Sequence, residues 1–232
     1  MTVGLLECDH VPAKFRHLAG DYYDLFGALF PHLDLRRFNV CHGQFPDSVT
    51  ACDAYLCTGS KYSVYDEVDW IKELQRLVQE LYAREKTYVG VCFGNQLLGE
   101  ALGGRVTKAA VGWCVGAHTF QVTQPKNWMT PFQGRYRLLM MCQDQIVELP
   151  PDSRVLAAAP DCPVGMLRVG PRMLGVQAHP EFPVAYERAL LEDRVERIGA
   201  EKVAAGLDSL ALRLDAEGVG EWLGNFIRGT GS

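Results

Sequence analysis

The chain has 232 residues, of which 48% are apolar and 22% are charged, and its formal net charge is −5. This length and composition are typical of a globular protein with one core, so we expect a single domain over residues 1–232. Nucleic-acid-binding proteins normally carry a basic patch, whereas this chain is acidic, and it contains no run of about 18 apolar residues. We therefore expect neither a nucleic-acid partner nor a membrane span.

The eight cysteines indicate free thiols rather than disulfides or a zinc site. The first residues lack the basic and apolar regions of a signal peptide, so we expect a cytoplasmic protein whose thiols stay reduced. No two cysteines have the CxxC spacing of structural zinc sites, so we expect no metal. The last four residues, 229–232, are Gly-Thr-Gly-Ser, and we expect them to be disordered or the remnant of a tag.

The first half of the chain alternates short apolar runs with helical patterns. The predicted strands are residues 3–6, 33–40, 54–57 and 87–91, and the predicted helices are residues 22–30, 68–81 and 96–102. The clearest helix has apolar residues at spacings of three and four between Val68 and Leu81, with charged residues on the other face. Strands that are apolar on both sides and separated by helices predict a parallel sheet covered on both faces.

The second half changes character after residue 105. Its short β-like segments are residues 115–122, 137–141, 155–159, 164–169 and 173–178, which predict an antiparallel addition or extended loops feeding the same sheet. Helical patterns close the chain at residues 184–198, 203–214 and 217–227. The predicted fold class is therefore α/β, with a mostly parallel, twisted central sheet flanked by helices and some antiparallel additions.

A candidate nucleophile lies where the fourth predicted strand meets a helix. The segment Gly90-Val91-Cys92-Phe93-Gly94 has the Gly-x-Cys-x-Gly spacing of a nucleophile elbow, in which the side chain sits on a sharp strand-to-helix turn. Such a turn needs glycines because backbone segments come close together. It also places the thiol at a helix N-terminus, which lowers a thiol pKa. A buried cysteine in a tight structural turn is the alternative interpretation.

A candidate base and its partner follow the last predicted strand. In His179-Pro180-Glu181, residues i and i+2 of an extended segment point the same way, and the proline favours an extended conformation at His179. A cysteine nucleophile needs an imidazole to move its proton, and the imidazole needs a carboxylate to set its tautomer. A lone histidine at a strand end is more often structural, so the two motifs gain weight only together.

Together these motifs resemble the class I, or triad-type, glutamine amidotransferases, which have a flavodoxin-like fold. The nucleophile motif is Gly-Val-Cys-Phe-Gly-Asn-Gln at residues 90–96, and the second motif is His-Pro-Glu-Phe at residues 179–182. Residues 58–60 are similar to the family's glycine loop. Residues 63–66, 70–71 and 144–150 are similar to a stand-alone, GMP-synthetase-like subgroup that includes γ-glutamyl peptidases. The resemblance covers nearly the whole chain.

The resemblance implies a role for each matching residue. Cys92 is expected to form a γ-glutamyl thioester, with His179 as general base and then acid and Glu181 orienting the imidazole. The backbone amides of Gly59 and Phe93 are expected to form the oxyanion hole. The expected substrate contacts are Gln96, Met141, Cys142 and Gln143, the last three in a loop that acts largely through backbone atoms. This route needs no metal and no organic cofactor.

Two residues depart from the family pattern. Asn95 and Cys142 stand where the family usually has histidines, so the substrate region is expected to be roomier and less cationic. The alternative is that both are packing changes beneath the site. The pair Gly112-Trp113 resembles a subgroup feature, and a packing role for this tryptophan is as compatible with the sequence as a role in the site.

Three functional hypotheses follow. The chain is a γ-glutamyl hydrolase or peptidase that releases an amine to solvent, a glutaminase that delivers ammonia to a synthetase on another chain, or a non-catalytic binding protein on the amidotransferase fold. The first two share their chemistry and a small γ-glutamyl substrate, and they differ in the leaving group and its exit route. All three triad residues are present, which argues against the third. The oligomeric state is not encoded in any motif.

Overall fold

The computed structural model describes residues 1–230 of the chain. Its strands are β1 (Thr2–Leu6), β2 (Asp34–Phe38), β3 (Ala54–Cys57), β4 (Thr87–Val91), β5 (Arg105–Lys108), β6 (Cys114–Val122), β7 (Arg135–Cys142), β8 (Asp144–Glu148), β9 (Ser153–Ala159), β10 (Cys162–Val169) and β11 (Met173–Val176). Its helices are α1 (Arg16–Ala19), α2 (Tyr22–Leu29), α3 (Asp69–Ala83), α4 (Phe93–Ala101), α5 (Val184–Asp193), α6 (Val195–Ile198), α7 (Ala200–Ser209) and α8 (Ala216–Arg228).

The central sheet joins a parallel half to an antiparallel half. Its strand order is β2-β1-β3-β4-β11-β10-β9-β6-β7, and the first five strands are parallel to one another. The remaining pairings are antiparallel, and β5 and β8 form a separate two-stranded sheet. The predicted α/β fold is confirmed, and the second half of the chain extends the same sheet with antiparallel strands rather than with loops.

Side chains along the parallel strands point alternately to the two faces of the sheet, so the apolar core is divided into two clusters. Leu56 of β3 packs in one apolar cluster with helices α2, α5 and α8, whereas its neighbours Tyr55 and Cys57 pack in a second cluster with α3 and α4. Successive side chains of a strand point to opposite faces, so strands that are apolar throughout must be covered twice. The helices therefore sandwich the parallel half and leave its carboxyl edge open.

The boundaries differ from the sequence predictions in several places. Two short strands, β5 and β8, were not predicted, and the helix predicted over residues 184–198 is interrupted at Arg194, between α5 and α6. Helix α4 begins directly after the nucleophile instead of at residue 96, and β11 ends at Val176 instead of residue 178. Apart from these two short strands, which pair only with each other, the differences are at an element's end or at an interior break, where tertiary contacts outweigh local preference.

Of the C-terminal residues 229–232, the structure describes the first two, and the expectation that this segment is disordered or a tag remnant stays a prediction. Gly229 has a left-handed conformation, with φ of 68°, and closes helix α8. The amide of Thr230 donates to the carbonyl of Asn225, a bond typical of a helix C-terminal cap. Residues 231 and 232 lie outside the described residues. Within residues 1–230, no helix has both the length and the apolar character needed to cross a bilayer.

Candidate active site

Cys92 lies on a strained turn at the carboxyl end of β4. Its backbone has φ of 52° and ψ of −102°, a conformation that residues other than glycine rarely adopt, and α4 begins at the next residue. The flanking glycines permit this turn. A Cβ on Gly90 would lie 2.3 Å from the backbone of Gly94, and a Cβ on Gly94 would lie 2.6 Å from the carbonyl oxygen of Cys57. The predicted elbow is therefore present, and it lifts the sulfur above the sheet edge.

His179 and Glu181 form a buried pair beside this sulfur. Nδ1 of His179 lies 2.7 Å from Oε1 of Glu181, and the two side chains are 3% and 0% exposed. The sequence placed His179 at a strand end, but it lies three residues beyond the end of β11, in an isolated β-bridge. The amide of His179 donates to the carbonyl of Leu139 in β7, 2.8 Å away, and this isolated bridge sets the position of the imidazole.

The electrostatics favour a thiolate and an imidazolium. The pKa of Cys92 is lowered to about 5. Hydrogen bonding from the Cys142 thiol is the largest cause, burial raises the pKa, and the charge of His179 lowers it further. Burial alone would lower the pKa of His179, but the Glu181 carboxylate and the Cys92 thiolate outweigh it and raise the pKa of His179 well above its usual value. The pair is ionised at neutral pH, which is the reactive state of a cysteine nucleophile.

Cys142 lines the groove together with the candidate nucleophile. Interaction with the Cys92 sulfur, together with burial, raises the pKa of Cys142 well above the usual range of a thiol. A second donor, Nε2 of Gln177, lies 3.7 Å from the same sulfur. The family histidine that Cys142 replaces was expected to affect only the substrate loop. The structure instead makes Cys142 part of the environment of the thiolate.

Two pockets meet at Cys92. The Gln143 pocket, a cavity of about 450 Å³, is lined among others by Gln96, Gln143 and Trp113, and the Phe182 pocket, about 250 Å³, is lined by Tyr22, Phe182 and Tyr186. Five residues line both pockets: Ser60, Lys61, Cys92, Met141 and Arg194. The two pockets are therefore lobes of one groove, with the nucleophile between them and the imidazole of His179 on the Phe182 side.

Two larger cavities lie outside this groove, and neither is lined by Cys92 or His179, although the one of about 540 Å³ is lined by Glu181 and Phe182. The cavity of about 640 Å³ is lined by Thr87 and Arg172, which lie at the amino ends of β4 and β11. Ligands of open α/β sheets bind beyond the carboxyl ends of the strands, where Cys92 and His179 lie. The groove at the carboxyl edge is the better candidate site.

The two expected oxyanion-hole residues are next to the nucleophile. A Cβ on Gly59 would lie 3.1 Å from Cε1 of His179 and 3.8 Å from Cβ of Cys92, so the backbone of residue 59 borders both reacting groups. Phe93 is the first residue of α4, and the amides of a helix's first turn have no acceptor within the helix. Both residues thus border Cys92, which is the position required of oxyanion-hole residues.

The expected substrate residues all line the Gln143 pocket, in a setting that differs from the predicted loop. Met141 and Cys142 are the last residues of β7, and Gln143 is the single residue between β7 and β8. Gln96 is 3% exposed and its Nε2 donates to the carbonyl of Asp144, 2.7 Å away. These residues therefore form a wall at a strand junction rather than a longer loop.

Asn95 does not line the groove, so the expectation that it makes the substrate region roomier is wrong. Its side chain is fully buried beneath the site, where Nδ2 donates to Oε1 of Gln177, 3.1 Å away. Gln177 in turn reaches the Cys92 sulfur. A Cβ at position 175 would lie 2.0 Å from Oδ1 of Asn95, so Gly175 is required to accommodate this amide. Asn95 acts on the nucleophile through Gln177.

Several residues around the site have roles that the sequence did not predict. Phe182 is the last residue of the second motif, and its ring stacks on the imidazole of His179, with centroids 3.9 Å apart. The guanidinium of Arg197 lies over the ring of Trp113, 4.9 Å from its centroid, which gives that tryptophan a place in the groove wall. Arg194 lines both lobes, and no carboxylate within the described residues 1–230 forms an ion pair with it.

The comparisons with known proteins agree with this geometry. The family model "Glutamine amidotransferase class-I" matches residues 49–197. Gamma-glutamyl peptidase 3 of Arabidopsis thaliana is 28% identical over 206 residues, which cover 84% of this chain and 80% of that protein. The glutamine-hydrolysing GMP synthase of Aeropyrum pernix is 30% identical over 116 residues, half of this chain but only 22% of that protein.

Solved structures of the same fold cover almost the whole chain. A glutamine amidotransferase from Thermotoga maritima superposes with a TM-score of 0.75 at 18% identity and covers 97% of this chain and 96% of its own. One from Methylobacillus flagellatus has a TM-score of 0.76 at 15% identity and covers 100% and 95%. With the matches of the family model and of the curated relatives, the conclusion is that this chain belongs to the class-I glutamine amidotransferase family of cysteine-dependent amidotransferases and hydrolases.

Proposed function

We propose that the enzyme hydrolyses the γ-amide bond of a γ-glutamyl compound through a thioester on Cys92. The observation that carries this proposal is the contact of an ionised Cys92 with His179, whose Nδ1 is held 2.7 Å from Glu181. The thiolate attacks the γ-carbonyl carbon, and the amides of Gly59 and Phe93 stabilise the oxyanion. The imidazolium gives its proton to the leaving amine, and a water activated by His179 then releases glutamate and restores the thiol.

The γ-glutamyl group belongs in the Gln143 pocket. Its α-amino and α-carboxylate groups contact the wall formed by Gln96 and residues 141–143, where polar backbone atoms and the Gln143 side chain are available. The leaving amine then points towards the imidazole of His179, and therefore into the Phe182 pocket. This orientation follows from the mechanism, because the group that protonates the amine lies on that side of the sulfur.

The preferred substrate carries an amine larger than ammonia. The Phe182 pocket, about 250 Å³ in volume, is far larger than an NH₂ group requires, and its aromatic wall of Tyr22, Phe182 and Tyr186 suits an amino acid or peptide. The similarity to γ-glutamyl peptidases over 80% of the length of one of them supports the same substrate class.

A glutaminase that supplies a synthetase partner is the competing function, because GMP synthases match about half of this chain. The deciding experiment compares kcat/KM for γ-glutamyl dipeptides, γ-glutamyl amines and glutamine on the isolated chain, with Cys92→Ala as the inactive control. We expect the dipeptides to be hydrolysed at least as efficiently as glutamine. A preference of more than tenfold for glutamine, or activity that requires an added synthetase, would replace this proposal with the subunit function.

A further inference from the structure

A cluster of potential metal ligands lies beside the groove, outside the catalytic residues. It consists of His10, Cys41 and His42, whose ligand atoms all lie within 4.8 Å of one another. His10 follows β1, and the other two lie in the 3₁₀ turn Val40–His42 that follows β2. Because β1 and β2 are adjacent and parallel, their carboxyl ends bring these segments together at the same sheet edge as Cys92.

Four of the six separations among the ligand atoms of the cluster and Asn39 Oδ1 are close to the edge lengths of a tetrahedral site. Asn39 Oδ1 lies 3.2 Å from Nε2 of His10, 3.2 Å from Sγ of Cys41 and 2.9 Å from Nδ1 of His42. Sγ of Cys41 lies 3.5 Å from Nδ1 of His42. Four ligands at about 2.0–2.3 Å from a zinc ion are separated by roughly 3.3–3.8 Å along the edges of a tetrahedron. Small side-chain shifts therefore suffice to admit an ion.

The tautomer of His10 suits a metal ligand. Its Nδ1 lies 2.9 Å from Oδ2 of Asp21, a carboxylate that also accepts from the amides of Val11 and Tyr22 and pairs with Arg16. A carboxylate only accepts hydrogen bonds, so Nδ1 donates to Asp21, and Nε2 is the ring nitrogen that faces the cluster. A carboxylate behind the imidazole is the usual outer partner of a metal-bound histidine.

The backbone holds the two contributing segments together before any ion binds. The amide of Glu7 donates to the carbonyl of Phe38, and the amide of Cys41 donates to the carbonyl of Glu7, which continues the β1–β2 ladder up to the cluster. The buried carboxylate of Glu7 also forms two hydrogen bonds with Arg37 on the neighbouring strand, at 2.9 and 3.0 Å. Pre-positioned ligands lose little conformational entropy when they bind an ion.

We propose that His10, Cys41 and His42 bind a divalent zinc-type cation, with Asn39 Oδ1 or a solvent molecule as the fourth ligand. Two imidazoles and one thiolate form a borderline-soft set that favours Zn²⁺ or Co²⁺ over Mg²⁺ and Ca²⁺. On binding, the Cys41 thiol gives its proton to the buffer and its sulfur bonds to the ion. His10 also lines the Phe182 pocket, so a bound ion stiffens one wall of the groove.

The experiment titrates metal-stripped, full-length protein with Zn²⁺ against a chromophoric chelator and records the spectrum of the Co²⁺ form. The variants are Cys41→Ser, His42→Ala and Asp21→Asn, and Cys92→Ala is the matched control, because Cys92 with His179 is the other thiol–imidazole pair of the groove. Circular dichroism checks that each variant is folded. Cys41 and His42 are half-buried and exposed, so these substitutions leave the core intact.

The expected result is one Zn²⁺ per chain and a thiolate-to-Co²⁺ charge-transfer band, both unchanged in Cys92→Ala. Cys41→Ser should abolish the charge-transfer band. Asp21→Asn removes the carboxylate behind the His10 imidazole and should weaken Zn²⁺ binding by about 10- to 100-fold. Cys41→Ser and His42→Ala each remove a ligand and should weaken Zn²⁺ binding by at least as much. Metal binding that survives in Cys41→Ser but is lost in Cys92→Ala would place the ion at the catalytic pair and overturn the proposal. Failure of the wild-type chain to compete with the chelator would overturn it as well.

Discussion

The reactivity proposed for Cys92 depends on one backbone conformation and a few hydrogen-bonding neighbours. The positive φ places the sulfur above the sheet edge, and the Cys142 thiol, His179 and Gln177 surround it. A thiol buried in apolar surroundings would be protonated and inert. Here the neighbours reverse the effect of burial, so the nucleophile is charged although it is only 5% exposed.

Replacement of Cys142 tests this account. Because the Cys142 thiol is the largest influence that lowers the pKa of Cys92 to about 5, Cys142→Ala should raise that pKa and move the acid limb of the pH–rate profile to higher pH. Cys142→Ser keeps a hydrogen-bond donor and should shift the acid limb of the pH–rate profile less than Cys142→Ala does. The measurement is the pH dependence of Cys92 alkylation, followed by mass spectrometry of its peptide. Identical profiles for the wild type and Cys142→Ala would contradict the assignment.

The proposed triad makes a graded prediction. Cys92→Ala and Cys92→Ser should abolish turnover while the fold stays intact, because the elbow accepts a small side chain. Glu181→Gln keeps an acceptor for Nδ1 of His179 but removes the charge that stabilises imidazolium, so a loss of about 10²- to 10⁴-fold in kcat is expected, smaller than that of His179→Ala. Steady-state kinetics on a γ-glutamyl dipeptide measure the order of the variants. Activity of more than a few per cent in Cys92→Ala would exclude the thioester route.

Among the elements, helix α5 carries an unusual buried carboxyl group behind the site. Glu187 is 0% exposed; one oxygen accepts from the amide of Gly116 in β6, 3.1 Å away, and Oε2 has no hydrogen-bond partner within residues 1–230. Burial raises the pKa of Glu187 to about 8, against the opposing hydrogen bond. At neutral pH this helix therefore docks on the sheet with a protonated glutamate at its centre.

This group makes stability depend on pH. The unfolded chain loses the Glu187 proton near pH 4.5 and the folded chain near pH 8, so the stabilisation due to the bound proton is full below pH 4.5 and is lost as pH rises to 8. Glu187→Gln removes the titrating group, so the Tm of the variant minus the Tm of the wild type should increase as the pH rises from 5 to 9. The expected change is on the order of a few kcal/mol, or roughly 5–10 °C. Thermal unfolding across this range measures it, and a constant difference would show that Glu187 does not titrate on unfolding.

At the scale of the whole molecule, the function depends on a groove built from both halves of the sheet. The nucleophile comes from the parallel half, Met141 and Cys142 come from the last antiparallel strand, and Arg194 comes from the break between α5 and α6. Arg194 lines both lobes and pairs with no carboxylate within the part of the chain that the structure describes, residues 1–230. A carboxylate on the leaving amine is the charge that complements it.

The corresponding variant separates substrate classes. Arg194→Ala should raise KM for γ-glutamyl amino acids with a free carboxylate by about 10- to 100-fold, since a hydrogen bond to a charged group contributes about 1.5–3 kcal/mol. Hydrolysis of glutamine and of uncharged γ-glutamyl amines should change by less than about twofold. Arg188→Ala is the matched control, because Arg188 is an exposed arginine of α5 that lines neither lobe. An equal loss on charged and uncharged substrates would assign Arg194 a structural role.

The sequence alone was enough to recognise the family and to predict the nucleophile and the base, because those signals are local. A strand that runs into Gly90-x-Cys92-x-Gly94 and a helix can form only a few tight turns, and His-Pro-Glu brings His179 and Glu181 within reach across one residue. The parallel half of the sheet was predictable for the same reason, since each strand and helix carries its own periodicity. The predicted boundaries were wrong where contacts with a distant segment determine them. An example is the segment around His179, which is positioned by its bridge to Leu139 of β7.

Only the tertiary structure decided what surrounds these residues. The spacing of the cysteines argued against a metal, yet His10 and Cys41 come together because two parallel strands end side by side. The thiol of Cys142 and the guanidinium of Arg194 likewise reach the groove from segments far from Cys92 in sequence. A one-dimensional pattern records the preference of each segment but not its neighbours across the sheet edge, and in this protein those neighbours set the pKa of the nucleophile and the shape of the groove.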